Sequence, residues 1–309
     1  MAYNYTFHKI LLLLLPLSTM QFNPTEHIEL KGIPSGSGII YANDSYYIIG
    51  DDSPTLFVLN KDLDVVKRIA LQDIHLEDGN RIPKPLKADY EAMELIHENE
   101  LVIFGSGSKS PQRDVFVRVL LGDEPKIETY TITDFYNHLK NLEVLADSEL
   151  NIEATAFSND ILYLFNRNKN VVIFFRYDEL LAYVQGDGSF PSIQTKHIAL
   201  PKLNGIEAGF SGAVALKNTQ QILFTASVEN TSNAYDDGEI LGSYIGMLDI
   251  TNNFADDNIP YCLVEDTKEK LKVESISVIN EASEGKAEVV LITDNDKGAS
   301  ELIKGLLLW

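Results

Sequence analysis

The sequence predicts an all-β fold, a five-bladed β-propeller of four-stranded blades, and three observations carry that prediction. Short apolar runs rich in β-branched residues alternate with Gly, Asn, Asp and Ser turns over most of the chain. Five groups of runs open alike, with Ser or Glu followed by Gly, Ala or Ser, at Ser37, Glu91, Glu153, Ser211 and Glu274. These openings recur about every 60 residues, more than the roughly 40–50 of common propeller repeats, so the blades carry insertions. The last group has three strands where the others have four, and an unpaired strand, His27–Lys31, precedes the first group. Pairing that strand beside Leu302–Leu308 completes the last blade and leaves no open edge.

Taken in order, the first blade reads Ser37–Tyr41, Tyr46–Gly50, Leu56–Leu59 and Val65–Leu71. The second reads Glu91–Ile96, Leu101–Phe104, Val115–Leu120 and Lys126–Tyr130. Between blades, Phe135, Leu139, Leu142 and Leu145 fit a helical stripe, which predicts one inserted helix within Thr133–Leu150 and Thr133 as its N-cap. The third blade reads Glu153–Phe157, Ile161–Phe165, Val171–Phe175 and Gln194–Leu200, with a short helical turn around Asp178–Val184. The fourth reads Ser211–Leu216, Ile222–Thr225, Tyr244–Leu248 and Tyr261–Val264. The fifth reads Glu274–Val278, Val289–Thr293 and Leu302–Leu308. A small residue after each anchor suits an innermost strand, where neighbouring blades crowd the axis.

Ahead of this ring, His8-Lys9 precedes the apolar run Ile10–Leu17, which is too short for an ordinary membrane-spanning helix. A basic start with such a core resembles a secretory signal peptide, so residues 1–20 are expected to direct export and 21–309 to form the propeller. Ser18, Thr19 and Met20 match a small-residue cleavage site poorly. The alternative is a terminal element packed on the domain of a cytoplasmic protein. No later run is long and apolar enough to span a membrane, and a monomer is expected.

Lys plus Arg is 25 against 46 Asp plus Glu, a formal net charge of −21 spread along the chain. Nucleic acid is excluded as the main partner, because phosphate binding needs a basic footprint. Cys262 is the single cysteine, so an intrachain disulfide and a thiolate metal cluster are both excluded. The histidines show no HxH or HxxxH spacing, which speaks against zinc.

In a four-stranded blade, the start of the inner strand and the loop between strands two and three share one face. That brings Glu91, Glu153 and Glu274 to the mouth of the central channel, with Asp51, Asp52, Lys109, Arg113, Arg167, Asp294 and Asp296 around them. Glutamates confined together repel unless they are protonated, paired with Arg or bound to a cation. Hard oxygen donors without His or Cys clusters favour calcium, with Glu91, Glu153, Glu274, Asp294 and Asp296 as its expected ligands. The structural alternative has each Glu capping backbone N–H groups or pairing with Arg113 or Arg167. The loop Gly105–Asp114 combines glycines, hydroxyls, Lys109 and Arg113 and could hold an anion, although it is neither a P-loop nor a dinucleotide fingerprint.

The openings D-Y-E-A-M, N-I-E-A-T and K-V-E-S-I, with the strand ends I-I-G-D-D and L-I-T-D-N-D, resemble the esterase-like phytase propellers. The chain is also similar to a bacterial β-propeller family with a G-S-G-S-K-S-P-x-R-D loop. The resemblance runs from about Gly32 onward; Ser37 and Ser211 depart from it by replacing the acid in two blades. It implies that channel carboxylates, here Glu91, Glu153, Glu274 and Asp294, hold calcium that acts on a small anionic or ester ligand. Two functions follow as expectations: a calcium-dependent hydrolase of a phosphate or carboxylic ester, or a non-catalytic propeller binding a ligand or protein through the same mouth. A glycosidase would need two carboxylates at a set separation, and the sequence offers no aromatic sugar platform.

Overall fold

A computed structural model describes residues 20–309 apart from 75, 77–80, 218, 231–237, 252, 255–257, 266–269, 284 and 295–299. The expected signal peptide and Asp296 lie outside the described residues, apart from Met20 at the edge of the former.

Five antiparallel sheets of four strands follow one another along the chain. From the axis outward, blade 1 is Gly36–Ala42, Ser45–Gly50, Thr55–Leu59 and Val65–Ala70, and blade 2 is Tyr90–Ile96, Glu100–Gly105, Val115–Leu120 and Lys126–Thr131. Blade 3 is Ile152–Ser158, Ile161–Asn166, Val171–Arg176 and Gln194–His197, and blade 4 is Gly209–Ala215, Gln221–Asn230, Glu239–Asp249 and Tyr261–Val264. Blade 5 takes Val273–Ser283, Lys286–Asp294 and Ser300–Leu308 from the end of the chain and Gln21–Leu30 from its beginning. The closing strand is longer than the five residues expected, pairing from Gln21 with Leu308 to Leu30 with Ser300. A bulge between Pro24 and Glu26 interrupts it, in keeping with proline's place on edge strands.

Each blade boundary buries its own apolar cluster, and these clusters make the ring. Tyr47, Leu56, Met93 and Ile103 join blades 1 and 2; Ala92, Phe104, Leu164 and Ile173 join blades 2 and 3. Phe165, Phe174, Phe210 and Phe224 join blades 3 and 4; Leu223, Ile245, Val289 and Ile303 join blades 4 and 5. Ile39, Ile48, Phe57, Val290, Ile292 and Leu302 then join blade 5 to blade 1. The small residues after the anchors are needed for close approach: a Cβ on Gly212 would lie 2.6 Å from the Ser275 Cα of the next blade. In blades 1 and 3 the inner hairpins turn on Asn43-Asp44 and Asn159-Asp160, all with positive φ, as a two-residue hairpin of matching twist requires.

The inserted helix α1 is shorter than its apolar stripe, spanning Thr133–Lys140, with a separate 3₁₀ turn at Glu143–Leu145. Thr133 is not its N-cap. Ile132 holds that position and, being apolar, caps nothing with its side chain; its N–H donates to Asp114 O at 2.9 Å as the chain enters the helix straight from blade 2. A second helix, α2 (Tyr177–Gln185), extends the expected turn and stops at Gly186, φ 82°. No helix among the described residues is long and apolar enough to cross a membrane.

Candidate functional site

All five inner strands carry a β-bulge at the anchor: at Ser37, Glu91, Glu153, Ser211 and Glu274 the register slips by one residue. Bulges re-aim a side chain out of the ladder alternation. In blades 1, 2 and 3 a repeated backbone bond ties the bulge to the end of the second strand. The carbonyls of Ser35, Asp89 and Asn151, two residues before their anchors, accept from the N–H of Asp51 (3.1 Å), Ser106 (2.9 Å) and Arg167 (2.9 Å). Asp51, Ser106 and Arg167 are therefore equivalent positions in successive blades, delivered to the same mouth.

Two charge groups form there. In the first, Asp51, Asp89 and Glu91 each present a carboxylate oxygen within 4.8 Å of the others, an arrangement able to hold a metal ion. Lys87 bridges two of the three, donating to Asp51 and, at 2.6 Å, to Asp89. Arg113 and Ser106 also donate to Asp89. Glu91 has no hydrogen bond or ion pair among the described residues, and burial, with Asp89, Glu153 and Asp51 nearby, pushes its carboxyl well above the usual range. Burial alone would depress the Lys87 ammonium, but Asp89, Asp51 and Glu91 outweigh it and hold Lys87 charged. Beside the group, Asp52 pairs with Arg81, and burial together with Asp51 raises it to about 6.

In the second group, Arg167 lies 3.6 Å from Glu153 and 3.0 Å from Glu229, and Lys272 lies 3.1 Å from Glu274. Asn151 donates to Glu153 at 2.5 Å. Burial, reinforced by Glu274 and Asp89 and opposed by Arg167 and Lys272, brings Glu153 up to about 7. The two groups meet electrostatically, since Glu153 acts on Glu91 and Glu91 in turn acts on Arg167.

Of the expected ligands, Glu91 belongs to the acidic triad, whereas Glu153 and Glu274 have basic partners. Asp294, opposite Ser300 in blade 5, is half-buried. Arg113 is buried on Asp89 rather than on a glutamate, and Lys109 lies exposed at the tip of the Gly/Ser loop. Ser37 and Ser211 are hydrogen-bonded within the fold, to Tyr90 O and to Thr225 Oγ1. Sequence reasoning passed over Asp89, Lys87, Lys272 and Glu229. The signal for the first three was present: Lys87, Asp89 and Lys272 each lie within four residues of an anchor glutamate, Glu91 or Glu274.

No curated protein matches the chain. Among solved structures it is similar to the glutaminyl cyclase of Myxococcus xanthus, at 11% identity over 94% of this chain and 98% of that one, with a TM-score of 0.53. The PQQ-bound aldose sugar dehydrogenase of Streptomyces coelicolor aligns at 10% identity over 94% of this chain and 100% of that one, TM-score 0.46. At such identities the first likeness bears on the fold alone. A family model matches residues 32–307, and the chain belongs to that family, DUF6929, a family of unknown function.

Proposed function

We propose that the channel mouth binds a divalent cation, calcium, and with it hydrolyses a phosphate or carboxylic ester of a small molecule. The observation that carries this reading is the convergence of Asp51, Asp89 and Glu91, with Glu91 unpaired among the described residues. Asp51 Oδ1 is also buried without a hydrogen-bond partner. An all-oxygen donor set suits calcium, which completes its shell with water and ligand oxygens. A cation there would polarise the scissile group. Glu153, brought to about 7 in the same mouth, is suited to accept the proton of an attacking water near neutral pH. The likeness of the inner-strand openings to esterase-like phytase propellers supports the same chemistry.

A non-catalytic, ligand-binding propeller is the second reading, favoured by the ion pairs that already occupy Asp89, Glu153 and Glu274. One experiment separates them. Chelator-treated protein is melted with and without millimolar calcium and assayed against p-nitrophenyl acetate and p-nitrophenyl phosphate. The hydrolase reading expects a calcium-dependent rise in melting temperature and calcium-dependent turnover of one ester, both lost in Glu91→Gln. A rise without turnover leaves the binding propeller. No rise removes the cation from both.

A further inference from the structure

Arg167 also lines a cleft of about 380 Å³ between blades 3 and 4, within the size range of small-molecule sites. We propose that this cleft binds an uncharged, hydroxyl-rich molecule of about monosaccharide size.

The cleft is built in advance. Asn170, itself buried, donates to Ala208 O at 2.8 Å and accepts from Phe210 N–H at 3.2 Å, tying the turn after blade 3's second strand to the first strand of blade 4. Gly209 makes room for the Arg167 side chain, since a Cβ there would come within 2.6 Å of Arg167 Cγ. Order already present in the free protein need not be created on binding.

Its buried charges are already paired. Arg167 faces Glu229 and Glu153, and Lys169 donates to Ala146 O. Glu207 accepts from Leu200 N–H at 3.2 Å and stands 3.7 Å from Lys202. A free anion would meet the carboxylates of Glu207 and Glu229 and find only the solvent-exposed Lys169 ammonium without a carboxylate partner, and a free amine would meet Arg167 and Lys169 while both carboxylates already have basic partners. An apolar ligand finds little to pack on, because among the lining residues Ala208 and Gly209 alone lack a polar side chain. What remains is hydrogen-bonding capacity. A guanidinium has five N–H groups, more than its two carboxylate contacts use, and each carboxylate keeps lone pairs. A hydroxyl both donates and accepts, so neighbouring hydroxyls can engage a guanidinium N–H and a carboxylate oxygen side by side.

The cleft does not depend on the cation, so the test is run in chelator and its failure leaves the calcium reading standing. Isotope-labelled protein is titrated with glucose, galactose, mannose, xylose and N-acetylglucosamine, with inorganic phosphate, acetate and ethanolamine as charged probes. The expected result is saturable millimolar or tighter binding of at least one sugar, shifting the Gly209 amide and the Arg167 Nε–H resonances. Arg167→Met should weaken that binding at least tenfold; should the variant fail to fold, the resonance map of the unmodified protein decides alone. The proposal is overturned if no sugar shifts those resonances, or if a charged probe binds there and the sugars do not.

Discussion

Lys87, Asp89 and Glu91 come together as the chain enters blade 2, so a lysine is built into the acidic group it neutralises. An incoming divalent ion would compete with that ammonium for Asp51 and Asp89. Lys87→Gln should therefore destabilise the chelated protein, by less than the about 3–5 kcal/mol of stripping a buried carboxylate of its only partner, since Arg113 and Ser106 stay on Asp89. Calcium should restore more stability to the variant than to the parent, read as the difference in urea midpoint with and without the ion. Equal calcium effects would mean that the ion does not use these carboxylates. Glu94 presents a different case. It is buried between blades 2 and 3 and accepts from Leu95 N–H at 2.7 Å and Phe157 N–H at 3.1 Å, yet burial outweighs both bonds and raises it to about 8. A raised carboxyl means that the fold holds a proton the unfolded chain has released. Its contribution is full below the ordinary value of 4.5 and is lost as pH rises through about 8. Glu94→Gln should flatten the fall in stability across that window by up to about 1.4 kcal/mol per pH unit, measured by denaturant unfolding at successive pH values. An unchanged slope would show that Glu94 is ionised in the fold.

At the scale of elements, the strand Gln21–Leu30 works by covering an edge. It satisfies the outer ladder of Ser300–Leu308 and brings Phe22 onto the cluster between blades 4 and 5. Deleting residues 1–32 should replace a sharp melt with a broad, lower transition or with aggregation, because it exposes that edge and removes buried Leu30 as well. A truncated protein melting as sharply and as hot as the full chain would show that the ring does not need this closure. The bulges belong to the same scale. One extra residue at each anchor re-aims a polar side chain while the apolar alternation continues behind it, so a strand can serve both core and mouth.

For the whole molecule, stability is shared around five apolar boundaries, the last of which, between blades 5 and 1, links the two ends of the chain. A ligand held between blades therefore stabilises the ring by mass action. Calcium a hundredfold above its dissociation constant would add about 2.7 kcal/mol, a rise of several degrees for a domain of this size. The net charge of −21 acts in the same direction, since self-repulsion weakens when a cation binds at an acidic mouth.

The period-two alternation, the turn residues and the recurring anchors by themselves determined the five blades, the four strands in each and the N-terminal strand as the missing piece. These are local signals, repeated along the chain, and each survives without knowledge of its neighbours. The mouth was legible only in outline. Glu91, Glu153, Glu274 and Arg167 could be placed there because blade geometry puts equivalent positions together. Which acid meets which base could not. That Arg113 lies on Asp89 depends on the loop after blade 2's second strand folding back on the entry to its first, and that Arg167 reaches Glu229 as well as Glu153 and that Asp51 joins Asp89 and Glu91 depend on neighbouring blades meeting at the mouth. α1 shows the same division: its apolar stripe is in the sequence, but its start at Ile132 goes with a backbone bond from the Ile132 N–H to Asp114 O, eighteen residues earlier on another strand's approach. Tertiary structure decided the pairings because ion pairs and raised carboxyl pKa values arise from burial and from charges brought close across blade boundaries, which no local pattern records.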